Sequence, residues 1–243
     1  MKLLNGATLR TLQFGSIVLA TSALVACGGS GDSPGATVSG TAAVGVAMAN
    51  ASIVLTCKNG TGSATANASG AYSATFKFDG PCAITATGGA ITIHSFAAGA
   101  GTYNVTPLTE LLLDYLAGQL GTTVSGLLAG ITSNPSYQSA LSNSTVIANA
   151  QAAVVTLIKN TYGITLSSSS FLTVSFTPGQ PGADADLDTL QTAGAITANG
   201  QPAASLTAAA IAAGAAAPIS GGGSGGGATG GTGGTGGTGT TTK

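Results

Sequence analysis

Charge is scarce in this sequence: charged residues fill 5% of its 243 positions, against about 25% in an ordinary soluble domain. Trp is absent, and His94, Glu110 and Arg10 are the only residues of their types. Each shortage excludes something. Without a basic patch to neutralise phosphates, nucleic-acid binding is excluded as a function. Beyond Arg10 no guanidinium remains to clamp a phosphate or carboxylate in two-pronged fashion. A single Glu rules out hydrolysis by a pair of glutamates. Cys27, Cys57 and Cys82 form no CxxC pair, and a lone His offers little help as a metal ligand. What fills the chain instead is Gly, Ala, Ser and Thr between apolar positions. Such a surface is neutral and rich in hydroxyls, with little long-range field to steer a charged partner.

Lys2 and Arg10 precede an apolar stretch from Phe14 to Val25. That stretch is shorter than the roughly 20 residues a transmembrane helix needs. Positive charge followed by a short apolar run is the layout of a secretory signal. It ends in Leu24-Val25-Ala26-Cys27, followed by Gly28 and Gly29. These residues resemble the lipobox of bacterial lipoproteins. The resemblance implies that residues 1–26 are a signal peptide cut after Ala26, and that Cys27 is the lipidation site. It implies a diacylglycerol on the Cys27 thiol and an acyl chain on the new amine, since stable anchoring takes more than one chain. In that family Asp after the Cys retains the protein at the inner membrane. Gly28 stands here, so the expected place is the cell envelope, lipid-anchored at the outer membrane. An ordinary cleaved signal with Cys27 merely nearby is the alternative. Residues 27–36 then hold the lipidated Cys and a flexible spacer rich in Gly and Ser.

With Cys27 carrying lipid, Cys57 and Cys82 are left as an even pair. Both fall on the more apolar side of period-2 patterns. Ile53, Leu55 and Cys57 alternate with Ser52, Val54 and Thr56, and Cys82, Ile84 and Ala86 with Ala83, Thr85 and Thr87. In an oxidising compartment two such cysteines are expected to form a disulfide. Two buried free thiols are the alternative.

From Val38 to Thr106 the alternation continues. Tyr72, Ala74, Phe76 and Phe78 oppose Ser73, Thr75 and Lys77. Ile91 and Ile93 oppose Thr92, His94 and Phe96, and Tyr103 and Val105 oppose Thr102, Asn104 and Thr106. Turns at Asn59-Gly60, Asp79-Gly80-Pro81 and Gly88-Gly89 punctuate the strands, which indicates an antiparallel sandwich over 37–106. The run Val38-Ser39-Gly40, then Ala51 to Thr56, then Ala68-Ser69-Gly70-Ala71-Tyr72 resembles a carboxypeptidase regulatory-like domain of the prealbumin type. Asn67 stands where that family has Asp. The resemblance implies a module that spaces, stabilises, or binds sugar or protein, and is not itself catalytic.

The period changes at Thr106-Pro107, an N-cap followed by proline at the first helical position. Leu108, Leu111, Leu112, Tyr115, Leu116 and Leu120 follow at helical spacing. A second helix is predicted from about Thr145 to Asn160, with an exit at Tyr162-Gly163. Shorter helices are predicted near Val124–Ile131, Pro135–Leu141, Ala185–Leu190 and Leu206–Ala213. The phrase from Asn104 to Leu111 is similar to proteobacterial lipoproteins of unassigned role, which also end in a helical part. The fold class expected is therefore α+β: an antiparallel prealbumin-like β-sandwich, then a small helical region over 107–219 packed on or beside it. Residues 220–243, almost only Gly, Ser and Thr, are expected to be a disordered tail. Two motif matches there, a G-x-S-x-G and a glycine fingerprint, lack the flanking strand and helix that their chemistry requires.

No catalytic constellation emerges, so the chain is expected not to be an enzyme and to need no cofactor. His94 reads as a solvent-facing or edge-strand residue. Glu110 and Asp114, four apart, read as a carboxylate pair near a helix start. Asp184, Asp186 and Asp188 are a candidate for metal, since D-x-D-x-D can wrap calcium. The EF-hand pattern needs Gly at position 189 and an acid at 195, where the chain has Thr189 and Ala195. Helix-capping acids are the plainer reading. Two functions remain. One is a lipid-anchored envelope protein with a structural or protein-interaction role, its partners a membrane through Cys27 and an envelope protein. The other is a tethered glycan-binding module, for which Tyr137 and Phe171 are the candidates as loop aromatics.

Overall fold

The computed structural model describes residues 35–219. Cys27, the expected signal peptide over 1–26 and the glycine-rich stretch 220–243 lie outside the described residues. Strands come first: β1 (Ala36–Thr41), β2 (Ser52–Cys57), β3 (Thr61–Thr65), β4 (Ala71–Phe76), β5 (Cys82–Gly88), β6 (Ile91–Ala97) and β7 (Gly101–Thr102). Helices follow: α1 (Pro107–Gln119), α2 (Val124–Gly130), α3 (Pro135–Ser142), α4 (Ser144–Tyr162), α5 (Ala183–Thr192) and α6 (Ala204–Ala215). The protein is α+β.

The strands form a three-stranded sheet in the order β4-β1-β7 and a four-stranded sheet in the order β3-β2-β5-β6. Period-2 patterning sets which side each strand buries. Ile53, Leu55 and Cys57 point inward from β2, while Ser52 and Val54 are exposed. Val38, Tyr72 and Ala74 of the smaller sheet share one apolar cluster with Ile53, Leu55, Ile84 and Ile93 of the larger. Cys57 and Cys82 are directly paired across β2 and β5, and their sulfurs are bonded. β3 carries no large apolar residue, which is why alternation does not reveal it.

One expectation fails at β7. Pairing is antiparallel throughout except between β7 and β1, which run parallel. The link from β6 crosses to the other sheet, so no hairpin fixes the direction of β7. Regular structure then stops at Thr102, although Tyr103 and Val105 still donate to the carbonyls of Ser39 (2.7 Å) and Thr41 (2.9 Å). The close approach needs Gly40, because a Cβ there would lie 1.8 Å from the Tyr103 carbonyl oxygen.

All six predicted helices are present. Thr106 caps α1, with Thr109 completing a reciprocal capping box and Pro107 at its first turn. Asn143 caps α4, whose exit is Gly163 at φ 71°. α3 and α4 meet at an angle of 72° around that same Asn143. Leu111, Leu112 and Leu116 of α1 form a second apolar cluster with Phe96 and Ala83. Phe96 does lie on the His94 side of β6, as its register requires. It is nonetheless fully buried, because α1 covers that side. α6 reaches α1 backbone to backbone: a Cβ on Gly118 would lie 2.3 Å from the Ile211 carbonyl, and one on Gly214 2.0 Å from that of Tyr115. Among the described residues no single helix is long and apolar enough to cross a membrane.

Candidate functional site

β6 is an edge strand, so the outer N–H of His94 needs a partner from outside the sheet. Glu110, one turn into α1, supplies it. Its carboxylate accepts from the His94 backbone N–H at 2.5 Å and lies 3.1 Å from Nδ1 of the ring. The half-buried imidazole is thereby held above its usual pKa, chiefly by that hydrogen bond. Thr109 ties the same spot, donating to the His94 carbonyl at 3.0 Å. Asp114 sits one turn further along and is buried. Burial pushes its carboxyl up to about 7, the Thr207 hydroxyl opposing and the Glu110 charge adding. Glu110 thus pairs with His94 rather than working with Asp114 as a carboxylate couple. Its neighbourhood fastens α1 to the sheet. Serine is present at Ser95, but its hydroxyl is buried on the opposite side of the strand.

A different region gathers groups with unused bonding capacity. Residues 163–182, between α4 and α5, contain no helix or strand. They are held at the junction of the sheet and α4 by two buried amides. Asn104 accepts from the Thr41 N–H (3.2 Å) and donates from Nδ2 to the carbonyls of Phe171 (3.1 Å) and Val174 (2.7 Å). Its own N–H reaches the Leu172 carbonyl at 2.7 Å. On the other side the Leu172 N–H donates to Oε1 of Gln151 on α4 at 3.0 Å. Leu172 is therefore pinned at both backbone groups.

Beside this anchorage lies a cavity of about 240 Å³. Ala98, Ile147 and Leu172 give it an apolar wall, and Tyr103 and Gln151 give it polar groups. Gln151 is 7% exposed. Its Oε1 is taken by Leu172, which fixes the amide orientation, and its Nε2 makes no hydrogen bond to a described residue. The Tyr103 hydroxyl accepts from the Gly99 N–H at 3.0 Å, leaving its hydrogen available. A mainly apolar hollow with a few convergent polar groups, at a junction between layers, is the usual form of a small-ligand site. Neither Asn104 nor Gln151 stands out from the sequence as a site residue. A signal exists for Gln151, which stands inside the buried stripe Ile147, Ala150, Val154 and Ile158, where an amide must find a partner.

The other sequence candidates are placed elsewhere. Asp184, Asp186 and Asp188 all lie on α5, but their carboxylates do not converge. Asp184 is buried and accepts from the Gly179 N–H at 2.6 Å, and burial raises its pKa against that bond. Asp186 accepts from the N–H and hydroxyl of Ser167 at 2.8 and 2.7 Å, and Asp188 is exposed. Among the described residues no group of three or more His, Cys, Asp or Glu is placed to hold a metal ion. Asp184 and Asp186 do stand in the first turn of α5, where the helix dipole favours acids, but Gly182 is the N-cap and no side chain bonds there. Nor are the two aromatics exposed loop residues. Phe171 is 3% exposed and belongs to the helical core. Tyr137 is in α3, the helix predicted from Pro135, and is half-buried with its ring against Gly130. No protein family, curated protein or solved structure matches the chain.

Proposed function

We propose that the chain is an exported bacterial lipoprotein, held to the envelope by lipid on Cys27, with a structural or protein-interaction role and no catalytic one. One observation carries the compartment: Cys57 and Cys82 are bonded to each other, which leaves Cys27 as the odd cysteine. A structural disulfide fits an oxidising compartment, and the odd cysteine is the one in Leu24-Val25-Ala26-Cys27. We read the two sheets as a prealbumin-like sandwich, supported by the apolar cluster they share. Gly28 favours the outer membrane, and residues 220–243 are read as a disordered tail.

The test is Cys27→Ser in the full-length chain. Fractionation should move the protein from membrane to soluble fractions, and labelled fatty acid should no longer be incorporated. A Cys27→Ser protein that stays membrane-bound sinks this reading. A second reading, a tethered glycan-binding module, is favoured by one observation: the cavity at Gln151 has no charged residue in its lining among the described residues.

A further inference from the structure

The cavity between Tyr103, α4 and the 163–182 segment narrows its own ligand by chemistry. No Lys, Asp or Glu among the described residues lines it. A carboxylate, phosphate or ammonium placed there would be desolvated without a counter-charge, so the ligand is neutral. A plain hydrocarbon is excluded for the opposite reason. It would seal off the Gln151 Nε2 donor, and a buried donor without an acceptor costs about 1–3 kcal/mol. The ligand must therefore present an acceptor oxygen to Gln151 and Tyr103, next to an apolar patch that fits Ile147 and Leu172. The mouth adds a third condition. It is rimmed by the hydroxyls of Ser142, Ser144 and Thr173, all exposed. A ligand that leaves the cavity there should carry hydroxyls of its own. The size agrees with a single small unit, because about 240 Å³ is room for about eight waters.

We infer that this cavity takes one residue of an N-acetylated amino sugar. The acetyl methyl lies on Ile147 and Leu172. The acetyl carbonyl accepts from Gln151 Nε2, and an oxygen of the sugar accepts from the Tyr103 hydroxyl. The ring hydroxyls meet the seryl and threonyl rim. The inference rests on the glycan-binding reading above and gives it a subsite that neither Tyr137 nor Phe171 supplies.

The full-length chain in detergent is titrated calorimetrically with N-acetylglucosamine, with glucose and acetamide as controls. The sugar should bind saturably, and each control at least about tenfold more weakly, since each lacks a set of partners that the site would leave unpaired. Two variants locate the site. Gln151→Glu keeps the oxygen that Leu172 needs and removes the donor. Ala148→Trp, at an exposed lining position, plugs the mouth without touching the core. Both should melt cooperatively and bind at least about tenfold more weakly. Absence of binding, equal binding of glucose or acetamide, or undiminished binding by both variants overturns the inference. Saturable sugar binding that both variants retain sinks this subsite while the glycan-binding reading stands, and none of these results moves the Cys27→Ser fractionation.

Discussion

The strand region and the helical region solve the same problem, a chain almost without charge, by different means. None of the seven described strands contains Asp, Glu, Lys or Arg. The outward positions carry hydroxyls set in register, such as Thr37 with Thr75 (2.8 Å between oxygens) and Thr87 with Thr92 (3.3 Å). Order there comes from the backbone ladder and one covalent bond. The helices have no such ladder between them. They are positioned by caps from Thr106, Thr123, Asn134 and Asn143, by the glycine contact of α1 with α6, and by the amides of Asn104 and Gln151. Where other proteins use ion pairs between layers, this one uses neutral hydrogen bonds. His94–Glu110 is the one ion-paired contact among the described residues. Neutral bonds are insensitive to salt but costly when half-broken in the interior.

If that contrast is right, the largest loss follows from cutting the amide anchorage. Asn104→Leu would strip partners from the Thr41 N–H and from two carbonyls in the interior. Leaving several buried groups unpaired should cost about 4 kcal/mol, read as a lower urea midpoint. A loss under about 1 kcal/mol would mean that water replaces the amide. Next comes the covalent bond of the strand region. The double change Cys57→Ala with Cys82→Ala opens a closure spanning a sequence separation of 25. The chain-entropy account puts its loss at roughly 3 kcal/mol. Hydrogen exchange would sharpen the comparison: the Cys variant should loosen β2 and β5 first, and the Asn104 variant the 163–182 segment.

These two sites also mark what the sequence can reveal. Cys57 and Cys82 are legible because period 2 puts each on a known side, and the register then does the rest. The helices are legible because caps such as Thr106-Pro107 and exits such as Gly163 are local chemistry. β3 is not, because a strand of Thr, Gly, Ser and Ala has no apolar rhythm. The 163–182 segment is least legible of all. Its order depends on Asn104 and Gln151, which are 67 and 21 residues away along the chain from the groups they hold. No local pattern encodes such distances. Phe171 misleads for that reason: a residue in a stretch without periodicity looks exposed until something folds the stretch inward.

The junction of the two regions should respond to pH. His94 is held above its ordinary pKa, so its contribution is complete below about 6.5 and is lost as pH rises through the raised value. Asp114, raised to about 7, acts in the same direction, because its protonated form is the one the fold favours. Its contribution is complete below the ordinary carboxylate range and declines as pH rises toward 7. The titratable groups meeting there are His94 from β6 and Glu110 and Asp114 from α1, while α6 brings none. Urea midpoints should therefore fall between about pH 4 and pH 7. Asp114→Asn, which keeps a neutral side chain at all pH, should flatten most of that decline. If the Asp114→Asn protein keeps an unchanged pH profile, Asp114 is not the group responsible.

The smallest effect is expected at the start of α1, and it reverses the usual ranking within a helix cap. An N-cap threonine replaced by alanine typically costs about 1 kcal/mol. Here the Thr106 hydroxyl accepts from the Thr109 N–H over 3.4 Å, a long bond. Thr109 does more: its hydroxyl accepts from the Thr106 N–H at 2.9 Å and lies within donating reach of the carbonyls of Thr106 (2.8 Å) and His94 (3.0 Å). Thr106→Ala should thus fall at or below about 0.5 kcal/mol, the low end for such caps. Thr109→Val, of similar shape, should cost clearly more, because it also unties α1 from β6. Equal costs in thermal melts would mean that the tie across the two regions contributes nothing beyond the cap, and that the contrast between them ends at Glu110.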